Sequence, residues 1–213
     1  MRSIRPHALL TLTILAAGVA LAHAAEDKAA DNARWTPLWD GKSLKGWHKI
    51  GNGEWKIENG VLIGDHPKSA GDYGHLVSEK TYTDFTVRIM FKAVKGNSGF
   101  YFRTTKGGFS GVTGFQAEID ATKDVGGLYE TNGRSWVVQP KPEEVQKFFK
   151  PQEWNEMIVA AHGPHLQVKV NGTVVADIND EKGRKEGHFA LQVHGDQDVQ
   201  VMFKSIDILD EGK

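Results

Sequence analysis

Between residues 114 and 120 the chain alternates strictly, with apolar Phe115, Ala117 and Ile119 set between polar Gln116, Glu118 and Asp120. A period of two puts these sets on opposite faces of a strand, one fit for a core and the other carrying two carboxylates and an amide. The same alternation predicts a strand over 85–93, with Phe85, Val87, Ile89 and Phe91 inward. Phe100 and Phe102 likewise oppose Tyr101 and Arg103, and Phe189, Leu191 and Val193 oppose Gln192 and His194. Asn59-Gly60 and Asn171-Gly172 favour tight hairpin turns, pairing 54–58 with 61–63 and 166–170 with 173–177. Further strands are expected over 76–78, 155–162 and 199–209, the last broken near Lys204 and Ser205. A single short helix is expected over 143–149, after Pro140 and Pro142. So many short strands with almost no helix predict an all-β sandwich of two antiparallel sheets, a jelly roll. Phe115, Ala117, Ile119, Phe189, Leu191 and Val193 should then lie between the sheets.

The ends of the chain read differently. Arg2 and Arg5 precede an apolar run from Ala8 to Leu21, and Ala22-His23-Ala24 has the small-x-small form of a secretory cleavage site. The run is short of the roughly 20 residues that span a bilayer. Residues 1–24 are therefore expected to be a signal peptide, cleaved after Ala24 or Ala25, with a periplasmic or secreted product and no membrane association after cleavage. Residues 25–34 are charged and alanine-rich, as in a linker. Residues 35–213 then form one domain. Within it Trp35, Leu38, Trp39, Leu44 and Trp47 fall among Pro37, Gly41 and Gly46, an extended edge whose aromatics close one end of the core.

Composition narrows the function. The formal net charge is -1 at pH 7, with neither a basic stripe nor a run of like charge, so nucleic acid is not an expected partner. With no cysteine, the domain folds on its core alone. The glycines at 107–108, 111, 114 and 126–127 match no phosphate-binding fingerprint, which needs a strand-to-helix transition. The stretch 95–99 reads as a turn made by unusual backbone angles at Asn97 and Gly99.

The polar strand faces supply the candidate chemistry. If they share one sheet surface, they gather Tyr101, Arg103, Gln116, Glu118, Asp120, Gln192 and His194, the arginine helping to hold the carboxylates ionised. Tyr129 and Trp136 could add aromatic surface for a sugar, although Trp136 could equally pack a loop. Of the nine histidines, none stands in a metal-binding spacing, and only His194 shares a face with other functional groups. Glu118, Asp120 and His194 together would suit a divalent metal, which leaves a metal cofactor open.

The order Leu-Trp-Asp-Gly-Lys-Ser-Leu-Lys-Gly-Trp (38–47), Trp-Lys-Ile-Glu-Asn-Gly-Val-Leu (55–62), Asn-Ser-Gly-Phe-Tyr-Phe-Arg (97–103), Gly-Phe-Gln-Ala-Glu-Ile-Asp (114–120), Gly-Leu-Tyr (127–129), Glu-Trp-Asn (153–155) and Leu-Gln-Val-His-Gly (191–195) resembles the 3-keto-disaccharide hydrolase family. The resemblance implies a concanavalin-like jelly roll and a secreted enzyme acting on glycosides oxidised at C3, with a sugar 3-dehydrogenase as supplier of the ketone. It carries over to Tyr101, Arg103, Gln116, Glu118, Asp120, Tyr129 and His194. A C3 ketone acidifies the C2 hydrogen, so Glu118 or Asp120 could act as base, His194 as acid or metal ligand, and Arg103 as enediolate stabiliser. Two other functions fit the same residues. One is a non-catalytic carbohydrate-binding module. The other is a retaining glycosidase using Glu118 and Asp120, whose carboxyl groups would need to stand roughly 5 to 5.5 Å apart across the bond.

Overall fold

Alternation of buried and open residues governs the strands of the computed structural model, which describes residues 34–209. The expected leader, nearly all of the expected linker and the last four residues lie outside the described residues. In chain order the strands are β1 (Trp35–Pro37), β2 (Trp47–Gly51), β3 (Glu54–Glu58), β4 (Val61–His66), β5 (Gly74–Tyr82), β6 (Phe85–Lys95), β7 (Asn97–Lys106) and β8 (Val112–Asp120). There follow β9 (Leu128–Thr131), β10 (Ser135–Val138), β11 (Asn155–His162), β12 (His165–Val170), β13 (Thr173–Asn179), β14 (Gly187–Val193) and β15 (Val199–Leu209). The expected helix is present only as one turn, α1 (Pro142–Val145), begun by proline at its first position. No helix among the described residues is long and apolar enough to cross a membrane.

Residues 37–209 form one compact unit. Its antiparallel strands make two sheets, one in the order β13-β12-β11-β6-β15-β4-β3 and the other β10-β9-β8-β7-β14-β5-β2. Between them lies the core, in which Phe85, Val87, Ile89 and Phe91 of β6 meet Phe100 and Phe102 of β7, Phe115, Ala117 and Ile119 of β8, and Phe189, Leu191 and Val193 of β14. All six residues expected between the sheets from β8 and β14 are buried there. Trp39 and Trp47 are also buried in this core, which is the sealing role expected of them. Both Asn-Gly hairpins form, with β3 pairing β4 and β12 pairing β13.

Three strands were not anticipated, one of them β2, which continues the expected edge past Trp47. β9 and β10 lie where a long loop was expected, and they extend the second sheet beyond β8 with Tyr129 directly opposite Trp136. Each has four residues, too few for a period of two to stand out against the surrounding turns.

The outer face of this second sheet is not bare. Val77, Tyr101, Val112 and Ala190 form a smaller apolar cluster there, with Ile50 packed against it. Val112 reaches it because the connection between β7 and β8 folds back over the sheet, bringing Gly111 against Ile50 and near His75. Gly108, at φ 76°, takes the left-handed conformation this connection needs, and a Cβ there would collide with the Asn132 side chain. The fold thereby makes a covered hollow on the outer face of a sheet.

Candidate active site

Register decides which side chains share the hollow. Tyr101 of β7 lies opposite Gln116 of β8, Gln116 opposite Tyr129 of β9, and Gly99 opposite both Glu118 and Gln192. All of these positions have the parity that points away from the core. Together with Asn97, Thr131, Trp136, Tyr73, His194 and the loop residues Phe109 and Ser110, all of them except Gly99 line a cavity of about 220 Å³. Its size is below the roughly 300–1,000 Å³ of clefts for drug-sized ligands, and suits one monosaccharide ring. Gly99 has a spatial reason to be glycine, because a Cβ there would lie 2.4 Å from the Gln116 amide nitrogen.

Seven expected site residues meet here: Tyr101, Gln116, Glu118, Tyr129, Trp136, Gln192 and His194. Arg103 and Asp120 do not. The β7–β8 register slips between Phe102 and Thr105, so β7 carries an extra residue there and the alternation that paired Arg103 with Tyr101 is broken. Arg103 takes a left-handed φ of 51° and is only 1% exposed. Its guanidinium donates to the carbonyls of Thr83 (3.1 and 2.9 Å), Gly163 (2.8 Å) and Arg184 (3.2 Å), and pairs with Asp84 at 3.4 Å. It ties three loops together and does not reach the cavity. Asp120 is spent on a turn: its Oδ1 accepts from the backbone N–H groups of Thr122 (2.7 Å) and Lys123 (3.0 Å) and from the Thr122 hydroxyl (2.7 Å).

Glu118 is therefore the single carboxylate lining the cavity among the described residues. It is 4% exposed and accepts a short hydrogen bond from the Asn97 amide, which also donates to Asp120 at 3.3 Å. Burial pushes its pKa up to about 8; the Asn97 hydrogen bond opposes this and the negative charges of Asp120 and Asp124 add to it. A carboxyl with this value can exchange a proton near neutral pH.

Opposite in character is the chain of neutral groups beneath it. Gln116 donates an amide N–H to Gln192 Oε1 at 3.3 Å, which leaves the Gln192 amide nitrogen to donate to the Tyr101 hydroxyl at 2.8 Å. Thr131 donates to the same oxygen at 3.1 Å. Tyr101 thus accepts two hydrogen bonds while its own proton is left to a ligand. Burial raises its pKa strongly, so the phenol stays neutral. His75, buried behind it with its ring edge-on to Tyr101 at 5.4 Å, is pushed down to about 4 by burial and by His194.

A second hydroxyl stands on another wall. His194 Nδ1 lies 2.7 Å from the Gly195 carbonyl, which can only accept, so in the neutral imidazole Nε2 is left as acceptor for the Tyr73 hydroxyl at 3.0 Å. Burial raises the Tyr73 pKa and keeps this hydroxyl protonated. Asn97 and Tyr73 are functional candidates that the sequence reading passed over. Asn97 was legible, since it shares parity with Gly99 and Tyr101 and was hidden only by its place in a turn-like stretch. Tyr73 precedes a strand buried on both faces, where no alternation marks it.

The expected metal set of Glu118, Asp120 and His194 is not assembled. Among the described residues no group of three or more histidine, aspartate or glutamate side chains could hold a metal ion. Each of the three is instead engaged by a neighbouring protein group.

Removing the Tyr101 hydroxyl alone should show whether the phenol contacts the reacting atoms. If the cavity turns over a substrate oxygen that becomes negative in the transition state, Tyr101→Phe should lower kcat by about 10²-fold or more, the scale of losing one donor to an oxyanion, with little change in KM. A loss confined to KM would reduce Tyr101 to a binding contact.

The fold agrees with known proteins. A Parabacteroides distasonis protein provisionally assigned as a glycosyl hydrolase superposes with a TM-score of 0.61 at 21% identity, over 88% of this chain and 97% of its own. The carbohydrate-binding module CBM66 from Bacillus subtilis gives 0.58 at 22% identity, over 76% and 93%. A Bacillus subtilis protein of unknown function with a galectin-like fold gives 0.61 at 11%, over 83% and 98%. At these identities the likeness establishes the jelly-roll fold. No curated protein matches the sequence. Family membership is decided by the sequence profile of the 3-keto-alpha-glucoside-1,2-lyase-like domain, which matches residues 34–209, the whole stretch that builds the sandwich and its cavity. The chain belongs to this carbohydrate-related family.

Proposed function

We propose that this protein cleaves glycosides carrying a ketone at C3, by elimination across C1 and C2 followed by hydration. The observation that carries the reading is the pairing of one buried, near-neutral carboxyl with a buried phenol whose proton is unclaimed, in a cavity for one sugar ring. Conventional glycoside hydrolysis uses two carboxyl groups flanking the bond. Here Asp120 is held outside the cavity by its turn, whereas elimination from a ketone requires one base and one oxyanion donor.

In the proposed reaction the Glu118 carboxylate takes the C2 proton, and the C–H electron pair forms the C2–C3 double bond of an enediolate. Charge developing on the C3 oxygen is met by the Tyr101 hydroxyl, the part first expected of Arg103. The enediolate then collapses, re-forming the C3 ketone and a C1–C2 double bond as the C1–oxygen bond breaks. The departing oxygen takes the Tyr73 proton. His194 orients that hydroxyl, and burial keeps it protonated until the alkoxide, a stronger base, removes it. Water then adds to C1, returning its proton to Tyr73, while Glu118, having exchanged the abstracted proton with solvent, protonates C2. The balance is one water consumed, with the enzyme groups restored. A reaction that installs the ketone must come first, which is the place of a sugar 3-dehydrogenase.

The test is aglycone release from a 3-keto glucoside deuterated at C2, beside the undeuterated compound and the native glucoside. Loss of deuterium with inactivity toward the native sugar is the expected result. Retained deuterium with equal hydrolysis of ketone and native sugar would replace this mechanism with a conventional glycosidase. Binding of sugars without turnover would make the protein a carbohydrate-binding module.

A further inference from the structure

Phe109 is 74% exposed, a costly position for a large apolar ring, and the loop holding it is tightly built. Within that loop the Gly107 N–H donates to the Gly111 carbonyl at 3.0 Å, and the Gly111 N–H to the Gly108 carbonyl at 3.3 Å. The Val112 carbonyl at its end accepts from both the Ser110 hydroxyl and the Asn132 amide. The ring packs edge-on to Tyr73 at 5.9 Å, with an interplanar angle of 73°, and forms part of the cavity wall.

Resting on the keto-glycoside reading, we infer that Phe109 is the platform for the leaving group and selects a planar, apolar aglycone. A cavity of about 220 Å³ takes one ring, so whatever is attached at C1 lies toward the exposed wall. The protons on that wall are few: Ser110 donates to the Val112 carbonyl, and the one proton of Tyr73, held toward His194, is the one the proposed reaction gives to the leaving oxygen. A second sugar would bring several hydroxyls to a wall where, among the described residues, Phe109 offers none and the Tyr73 and Ser110 hydroxyls are already in use. An aromatic ring asks only for the open face of Phe109, by offset or edge stacking.

The experiment compares benzyl and cyclohexylmethyl 3-keto-glucosides, whose leaving groups are both primary alkoxides and which differ mainly in planarity. Wild type should prefer the benzyl compound in kcat/KM about five- to tenfold, a ratio that Phe109→Ala collapses toward one and Phe109→Tyr retains. Absence of the preference, or its persistence in Phe109→Ala, overturns the inference. The 3-keto derivative of a disaccharide serves as the competing arm, and faster turnover of it than of the benzyl compound also overturns the inference. If no keto-glycoside is cleaved, the cleavage reading fails separately. Calorimetric affinities for the native benzyl and cyclohexylmethyl glucosides then decide the role of Phe109 by the same ratio.

Discussion

Glu118→Gln is expected to reduce kcat on a 3-keto glucoside by about 10³-fold, within the range for loss of a general base, while KM changes little. The amide keeps the shape of the side chain, and its oxygen can still accept the Asn97 hydrogen bond, so the cavity should be preserved. Because the base works ionised and its pKa is raised to about 8, wild-type kcat/KM should climb with pH through that value and level off above it. The climb should be absent from the residual activity of the variant. Stability carries an independent signature of the same group. A folded-state carboxyl raised from its ordinary value of 4.5 to about 8 binds more protons folded than unfolded between those values, so its contribution to stability falls as pH rises across that window. The glutamine variant should lose this slope and gain on wild type in alkaline buffer. A rise in KM at unchanged kcat would demote Glu118 to a binding contact. An unchanged pH dependence of stability would show that its carboxyl is not buried in solution.

The second large effect concerns a residue outside the cavity. Arg103→Ala should cost about 3–5 kcal/mol, because it leaves the Thr83, Gly163 and Arg184 carbonyls short of their shared donor and Asp84 without its partner. For a domain of this size that corresponds to a fall in Tm of about 10 °C. Arg103→Lys should recover only part of it, since an ammonium cannot serve three separated carbonyls as a planar fork does. Thermal unfolding followed by calorimetry, with kcat measured on the folded fraction at low temperature, separates stability from chemistry. An undisturbed Tm with kcat lowered severalfold would return Arg103 to the reacting centre.

These two residues mark where reading from sequence succeeded and where it ended. Glu118 was found because strict alternation from Phe115 to Asp120 survives folding: Phe115, Ala117 and Ile119 entered the core and fixed the opposite face for Gln116 and Glu118. Gln192 and His194 followed from Phe189, Leu191 and Val193 for the same reason, since burying one face of a strand determines the other. Arg103 was misplaced because parity holds only while the register does, and one extra residue beside Phe102 breaks it. No local signal separates that arginine from one on an unbroken strand.

Asp120 shows a different limit. Its parity matched that of Glu118, but the short turn after β8 offered its backbone N–H groups, and an aspartate at a strand end satisfies them. The sequence by itself determined the class of fold, the two-faced strands and most of the residues the cavity gathers, because all of these depend on local periodicity. Tertiary structure alone decided which carboxylate enters the cavity, that Tyr73 meets His194 and that Phe109 stands at its wall. Each of those depends on a bulge, a turn or a loop folding back across strands distant in the chain, where the partners' identities are set by three-dimensional packing.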